Sequence, residues 1–322
     1  MAGVRLREIP PDRYAREVLP LTAPLWAGRR TFDEYLAQTL ETARSPYGRR
    51  YYRTIGLYDG STLVASFKRY EATARMDSRR LPAIGFGAVF TPNEYRGRGY
   101  ASVMLATALD RARSEGYELA YLFSDIRPQF YAPLGFYALP SRKLSLQADA
   151  LPAQRLELAS LASDHWSGVR HCFELGEHRR RAGFLRSPTF WGWIQMRVRN
   201  GSNHSIGHET NFVVRRGRTV RAYVLGARAP ERDAYLLDEY GFADDAAAAM
   251  IPALLRAAAG DLRRIIGWLP PDGVRDLLPK GTTRKRDRAI LMMAPLRSPG
   301  EDLIDLISAT KRGDFCWATD HI

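Results

Sequence analysis

Cysteine is scarce in this sequence: Cys172 and Cys316 are the only two among 322 residues. They lie far apart, and neither has the spacing of a metal ligand or of a CxxC pair. A disulfide framework is therefore not expected, and a reducing cytoplasm is the predicted setting. We expect no bound metal, because His321 near the end of the chain has no second ligand at a metal-binding spacing.

Long apolar runs are also missing. The first residues, MAGVRLREIPPDR, lack the apolar core of a signal peptide. No stretch approaches the roughly 18 apolar residues that cross a bilayer, and the nearest, residues 246–259, contains Pro252 and Arg256. The sequence therefore predicts a soluble protein without a membrane partner.

The charge is strongly positive, with a formal net charge of +13 that arginine carries almost entirely. Arginine clusters lie at residues 178–181, 215–221 and 284–288. No helix-turn-helix, zinc-finger spacing or RNA-binding aromatic motif accompanies them, so solvated surfaces are a better interpretation than a nucleic-acid site. The positive field mildly disfavours polycationic ligands.

The length and an apolar fraction of 45% fit two domains with full cores. We place the first at residues 1–150 and the second at residues 151–322. Residues 141–146 are expected to be the last strand of the first domain. Residues 71–80 are polar and are expected to form a turn or loop, and residues 164–183 are expected to be helical.

The most informative stretch is residues 84–101, IGFGAVFTPNEYRGRGYA. It predicts a strand, a proline turn and a glycine–arginine loop that opens a helix. Glycines allow close approach of the backbone, and the N–H groups and dipole of a helix N-terminus attract an anion. Glycines Gly85 and Gly87 within the strand indicate a bulge or a close approach to the backbone.

The sequence Arg96-x-x-Gly99-x-Ala101 resembles the pyrophosphate loop of the GNAT superfamily of acyl-CoA-dependent N-acetyltransferases. The resemblance implies acetyl-CoA as co-substrate. It also implies that the strand splays from its parallel neighbour, where backbone groups bind the pantetheine arm and the thioester carbonyl. The cofactor-binding residues that it implies are Ala88, Val89, Phe90, Arg96, Gly97, Arg98, Gly99, Tyr100 and Ala101.

A second segment, Phe-Tyr131-Ala-Pro-Leu-Gly135-Phe136, resembles the GNAT segment that places a tyrosine near the CoA sulfur. Tyr131 is therefore the expected catalytic residue. A phenol has a pKa of about 10 and a thiol of about 8.5, so full proton donation is uphill. We expect Tyr131 to act at least as much as a hydrogen-bond donor to developing negative charge.

The general base is left open. Several GNAT enzymes place a glutamate on or near the strand that here reads AIGFGAVF, which has no carboxylate. The remaining candidates are Glu71, Asp77, Asp125, Asp320 and the terminal carboxylate of Ile322.

The order of elements in the second half repeats that of the first, but GFADDAA replaces the glycine–arginine loop. Asp244 and Asp245 suit a helix N-terminus and would repel a pyrophosphate. The predicted fold class is therefore α/β (α+β): two tandem GNAT-like domains, each with a mixed, mostly antiparallel twisted sheet flanked by helices. This architecture looks like that of the enhanced-intracellular-survival (Eis) type without its sterol-carrier-like domain, and the second domain is expected to be degenerate and to shape the acceptor pocket.

The predicted function is direct transfer of an acetyl group from acetyl-CoA to the amine of a small molecule or peptide. The alternative is a catalytically impaired acyl-CoA-binding regulatory or scaffold protein. The sequence leaves the acceptor and the oligomeric state open, a homo-oligomer included.

Substitution Arg96→Glu tests the assignment of the loop. A carboxylate beside a bound pyrophosphate should lower the affinity for CoA about tenfold or more without unfolding the chain. Calorimetric titration with CoA measures the affinity, and circular dichroism checks the fold. Unchanged affinity would contradict the assignment.

Overall fold

A computed structural model describes residues 3–125, 127–201, 208–297, 305, 310 and 312–322. Two mixed sheets form its framework, and helices flank both. In the described part of each sheet, one strand pair is parallel and every other pair is antiparallel. The expected α/β fold with two mostly antiparallel sheets is confirmed.

The first sheet contains the predicted cofactor strand. Its order is β1 (Val4–Glu8), β2 (Tyr52–Asp59), β3 (Thr62–Met76), β4 (Arg79–Phe90), β5 (Leu119–Ser124), β16 (Ile290–Pro295) and β6 (Tyr137–Ala138), with β9 (Ala182–Leu185) paired to β3.

The second sheet has a similar design. Its order is β15 (Thr282–Lys285), β7 (Arg142–Gln147), β14 (Arg264–Trp268), β13 (Ala234–Phe242), β12 (Thr219–Ala229), β11 (Phe212–Arg216) and β8 (Leu158–Ser160), with β10 (His208–Glu209) paired to β12.

Helices cover the sheets and connect their strands. They are α1 (Pro11–Glu17), α2 (Leu19–Trp26), α3 (Phe32–Arg44), α4 (Pro46–Tyr51), α5 (Tyr100–Ser114), α6 (Pro128–Tyr131), α7 (Trp166–Glu177), α8 (Pro188–Arg199), α9 (Asp245–Ala248) and α10 (Ile251–Ala259). None of the described helices is long and apolar enough to cross a membrane.

The two sheets exchange strands. Strand β7 was expected to end the first domain, but it pairs with β14 and β15 in the second sheet. Strand β16 comes from the second half of the sequence and pairs with β5 in the first sheet. Hydrophobic strand patterns do not identify the partner sheet, so a division at residue 150 separates the sequence but not the sheets.

Most of residues 71–80 belongs to two strands, which corrects the expected loop, and only residues 77–78 form a turn. Strand β3 continues to Met76, and β4 begins at Arg79 after a tight turn at Asp77, whose φ is 49°. The end of β3 also pairs with β9, so the expected helix over residues 164–183 stops early. Polar side chains are compatible with a strand here because backbone pairing on both edges stabilises it.

Helix α5 packs on one face of the first sheet. Met104, Leu105 and Leu109 are buried against Phe67 of β3 and Phe86 of β4. Side chains alternate along a strand, so Lys68 and Tyr70 point to the opposite face, toward the N-terminal helices and α8. One face of the sheet thus packs on α5, and the opposite face is turned toward the N-terminal helices and α8.

A buried arginine holds the C-terminal tail. Arg186, between β9 and α8, donates two hydrogen bonds to Glu239 of β13 at 3.0 and 2.6 Å and one to Asp320 at 2.9 Å. Its guanidinium also stacks on Phe173 and Trp191, 3.9 and 4.7 Å from the ring centroids. Burial by itself lowers the pKa of Arg186, but the two carboxylates outweigh that effect and raise it, so the group is charged.

We expect Arg186→Met to lower the free energy of unfolding by about 3–5 kcal/mol, because two buried carboxylates lose their counter-charge. Urea denaturation followed by tryptophan fluorescence measures this. The matched control is Arg181→Met, which removes an exposed pair with Asp77 and should have little effect. Equal effects of the two substitutions would exclude a special contribution from Arg186.

Candidate active site

The central strands of the first sheet separate at the predicted position. Parallel pairing between β4 and β5 runs from Ala83 with Leu119 to Phe86 with Leu122 and then stops. Both strands continue beyond that point. A gap therefore opens between Phe90 and Ser124, where a ligand can reach the strand backbone.

A β-bulge lies in the same part of β4. The register with β3 shifts between Ser66, which faces Phe90, and Lys68, which faces Gly87. Ala88 has a φ of 45°, which is unusual for a residue with a side chain. Ala88 and Val89 have no register partner in β3 or β5, which identifies them as the residues of the bulge.

The glycine–arginine loop ends at the N-terminus of α5. Gly97 and Gly99 have φ values of 75° and 77°, in the left-handed region that favours glycine. Gly99 is the N-cap, and no side chain caps the first turn. The first N–H groups of a 15-residue helix are therefore free of an internal cap, and a pyrophosphate can accept from them.

The two loop arginines differ in position. The Arg96 side chain is exposed and donates from Nε to the Thr91 carbonyl at 3.1 Å, at the edge of the gap. Arg98 instead lies over the Tyr95 ring, 5.8 Å from its centroid. Of the two, only Arg96 lines the cleft described below.

Tyr131 ends the short helix α6 and packs against Phe130 and Phe136, with ring centroids 5.0 and 6.1 Å away. Burial, and secondarily the charge of Asp125, raise the pKa of Tyr131 to about 12. The hydroxyl is therefore protonated at all physiological pH values. Tyr131 is therefore better suited to donate a hydrogen bond than to transfer its proton completely.

One cleft of about 840 Å³ brings the predicted residues together. It extends from the glycine–arginine loop across the bulge of β4 to the inner face of α8. The predicted residues that line it are Ala88, Val89, Phe90, Arg96, Gly97, Gly99, Tyr100, Ala101, Asp125, Tyr131 and Ile322.

The C-terminal tail reaches this cleft. A Cβ on Gly85 would lie 2.6 Å from Cδ1 of Ile322, and one on Gly87 would lie 3.8 Å from the carboxyl carbon of Ile322. The strand glycines therefore make room for the tail, as a close approach to the backbone predicts. Arg197 of α8 helps to hold it by donating to the His321 carbonyl at 2.7 Å.

The neighbouring tail residues have structural contacts. His321 packs between Phe123 and Trp268, with ring centroids 4.8 and 5.7 Å away. Burial, assisted by Arg197 and Arg286, lowers the pKa of His321 to about 3. The ring is therefore neutral and too weakly basic to take a proton from an ammonium group.

The carboxylates considered as general base differ in whether they line the cleft. Glu71 pairs with Arg69 at 3.3 Å, and Asp77 forms the exposed pair with Arg181. Asp320 is buried on Arg186 and accepts from the Trp317 N–H at 3.0 Å. None of these three lines the cleft, whereas Asp125 and Ile322 do.

The residues that line the cleft between β3 and α8 were not identified from the sequence. Lys68, Tyr52 and Tyr70 on the first sheet meet Trp193 and Arg197 of α8 in the cleft. These contacts join residues more than 100 positions apart, and no local motif encodes them. The aromatic residues around Trp193 are evident in the sequence, but the sequence does not show that they face the cleft.

In the second half of the chain, the turn that corresponds to the glycine–arginine loop carries two aspartates, Asp244 and Asp245, at the start of α9. Asp244 is the N-cap of α9 and accepts from the Ala247 N–H at 2.8 Å, and it also pairs with Arg221. Asp245 pairs with Arg179. Capping by Asp244 uses the N–H group that an anion would need.

Comparison with known proteins agrees with this geometry. Residues 24–139 match the family described as "Acetyltransferase (GNAT) domain", a range that includes the glycine–arginine loop, the β4 bulge and Tyr131. No curated protein matches the sequence.

Solved structures resemble almost the whole chain. A GCN5-related N-acetyltransferase from Kribbella flavida is 18% identical, with a TM-score of 0.68 over 92% of this chain and 73% of that one. Eis1 from Mycobacterium abscessus is 14% identical, with a TM-score of 0.61 over 95% and 76%. A tandem GNAT protein from the clavulanic acid biosynthesis pathway is 13% identical, with a TM-score of 0.52 over 93% and 100%.

At these identities the structural likeness shows the fold, and the family match adds the domain that carries the site. The chain therefore contains a GNAT acetyltransferase domain within a tandem-GNAT fold, and it is an acyltransferase.

Proposed function

We propose that the protein is an acetyl-CoA-dependent N-acetyltransferase that transfers the acetyl group directly to the amine of a small molecule or peptide. The observation that carries the proposal is the continuous cleft. It joins an uncapped helix N-terminus, an unpaired stretch of strand backbone, a tyrosine hydroxyl and a carboxylate. These are the groups that amine acylation by a thioester requires.

The cofactor end of the cleft fits acyl-CoA. A Cβ added to Gly97 would have no other atom within 4 Å, so the loop leaves open space beside the first turn of α5. N–H groups there and the Arg96 guanidinium suit a pyrophosphate. When bound, acyl-CoA supplies the activated acyl group as a thioester.

The bulge of β4 is suited to polarise the acyl carbonyl. Ala88 and Val89 are unpaired, and the strained backbone at Ala88 is stabilised by the strands around it. Preorganised backbone N–H groups stabilise negative charge on a carbonyl oxygen more than solvent does. The acetyl carbon would then bond to the amine nitrogen as its bond to sulfur breaks.

We propose the Ile322 carboxylate as the proton acceptor. It lies beside Gly87, one residue from the bulge, whereas Asp125 lies at the Tyr131 side of the gap and accepts from the Ala289 N–H at 3.0 Å. The nitrogen loses a proton as the new C–N bond forms, and the departing sulfur needs a donor. We assign that second task to Tyr131, because its hydroxyl remains protonated and the residue lines the cleft.

The second half contributes shape rather than a second cofactor site. Trp193, Met196 and Arg197 of α8 form the wall opposite β3. Its own helix N-terminus is capped by Asp244, which supports a single cofactor site per chain.

Thiol release from acetyl-CoA over a panel of small-molecule and peptide amines tests the function. Release that depends on one amine, with the N-acetyl product detected by mass spectrometry, supports the enzyme. Tight acetyl-CoA binding without release on any amine would favour the alternative, an acyl-CoA-binding regulatory or scaffold protein.

Conversion of the Ile322 carboxylate to a carboxamide by protein ligation should reduce kcat by about 10²–10⁴-fold, the usual contribution of a general base. The side chain and its contact with Gly85 are retained, so acetyl-CoA affinity should not change. Asp125→Asn is the matched comparison, because it also replaces a carboxylate by an amide. A larger loss with Asp125→Asn would assign the proton acceptor there instead.

Substitution Tyr131→Phe should lower kcat about 10²-fold, the cost of removing one positioned hydrogen-bond donor from a transition state. Cofactor affinity should remain near normal because the ring packing on Phe130 and Phe136 is kept. Pre-steady-state thiol release measures the chemical step, and an unchanged rate would remove Tyr131 from the mechanism.

A further inference from the structure

The acceptor half of the cleft contains an ammonium group that the preceding mechanism does not use. Lys68 lies on β3, directly opposite Gly87 of β4, on the sheet face that turns away from α5. Its side chain lines the same cleft as Ile322 and the bulge. Any acceptor that approaches the thioester from this side passes close to Lys68.

Aromatic rings surround this ammonium. Its Nζ lies 5.5 Å from the ring centroid of Tyr14, 6.0 Å from that of Tyr35 and 5.8 Å from that of Tyr52. Burial lowers the pKa of Lys68 and the surrounding tyrosines raise it, and the net effect is a raised pKa. The ring faces also favour the ammonium form through cation–π contacts. Within the described chain, the Lys68 ammonium makes no hydrogen bond or ion pair, and the contacts around its Nζ are ring faces.

Apart from the terminal carboxylate of Ile322, the charged groups that line the cleft on this side are cations. Arg30 uses its guanidinium to hold Gln38 at 2.6 Å and the Trp26 and Ala27 carbonyls, and Arg197 holds the tail. Among the described residues, the only acidic side chain that lines the cleft is Asp125, beside Tyr131 at the cofactor end. Unlike Arg30 and Arg197, whose guanidinium groups hold other parts of the chain, Lys68 has an ammonium group that can bind a ligand.

This arrangement selects against acceptors with several positive charges. Such a molecule would meet Lys68, Arg30 and Arg197 without a carboxylate side chain to balance its charge. An acceptor that carries a negative group would neutralise the Lys68 ammonium in a partly desolvated site, where a charge-assisted hydrogen bond is strong. The rings of Tyr52, Tyr70 and Trp193 add an apolar wall.

We propose that the acceptor is an amino acid or a similar small amine with a carboxylate and an apolar or aromatic side chain, and that Lys68 binds this carboxylate. The inference rests on the proposed amine acetylation. Lys68 acts as a specificity-determining residue: it fixes one end of the acceptor while the amine lies between the β4 bulge and Ile322.

Matched acceptors test the inference: L-phenylalanine, L-phenylalaninamide and 2-phenylethylamine, with leucine and tryptophan sets built in the same way. Values of kcat/KM with acetyl-CoA are compared after correction for the fraction of free amine. The variant is Lys68→Met, which keeps an unbranched apolar chain among the tyrosines. Circular dichroism and acetyl-CoA affinity check that the variant is folded.

The wild-type protein should prefer the amino acids over both neutral counterparts by about tenfold or more. Lys68→Met should remove about 10- to 100-fold of kcat/KM for the amino acids, the range of a hydrogen bond between charged groups. It should leave the values for 2-phenylethylamine within about twofold, since that acceptor has no group for Lys68 to bind. Lys68→Arg should restore part of the preference.

Equal losses for all three acceptors in Lys68→Met would mean that Lys68 only supports the structure, and would overturn the inference. A wild-type preference for the amides or amines would do the same. If no amine releases thiol, the proposed function fails, and calorimetric titration of the same compounds with CoA present decides this inference separately. Lys68-dependent binding of the amino acids would then support it, and equal binding of all three compounds would overturn it.

Discussion

The buried pairing of Arg186 with Glu239 and Asp320 is the interaction on which the site depends. It joins the segment between β9 and α8, strand β13 and the C-terminal tail through charges that have no access to water. A buried cation between two carboxylates is stable only if all three positions are occupied, so the pairing specifies one arrangement of these elements. That arrangement brings Ile322 to β4 and α8 to the acceptor side.

The cleft combines two kinds of structure. Its cofactor end is local, because the bulge, the glycine–arginine loop and α5 follow one another within about 25 residues of sequence. Its acceptor end is assembled from β3, α8 and the tail, which are distant in sequence. The proposed cofactor binding and the proposed acceptor choice therefore depend on separate segments of the chain.

Sequence reasoning succeeded where the signal was local. The splayed strand, the glycine–arginine loop and the helix that this loop opens all lie in short segments with a recognisable pattern. It failed for the partner of β7 and for the pairing of residues 71–80, because strand pairing over long distances depends on the whole sheet. Lys68 was invisible for the same reason: its tyrosine neighbours come from three separate elements.

The exchange of β7 and β16 has a consequence for the order of events during synthesis. Strand β5 contains one edge of the cofactor gap, and its neighbour on the other side is β16, which is translated more than 160 residues later. The gap therefore has an exposed edge on the nascent chain until the ribosome has passed Pro295. The proposed cofactor site therefore gains its last neighbouring strand only after β16 has been synthesised, although the residues proposed to bind the cofactor all belong to the first half.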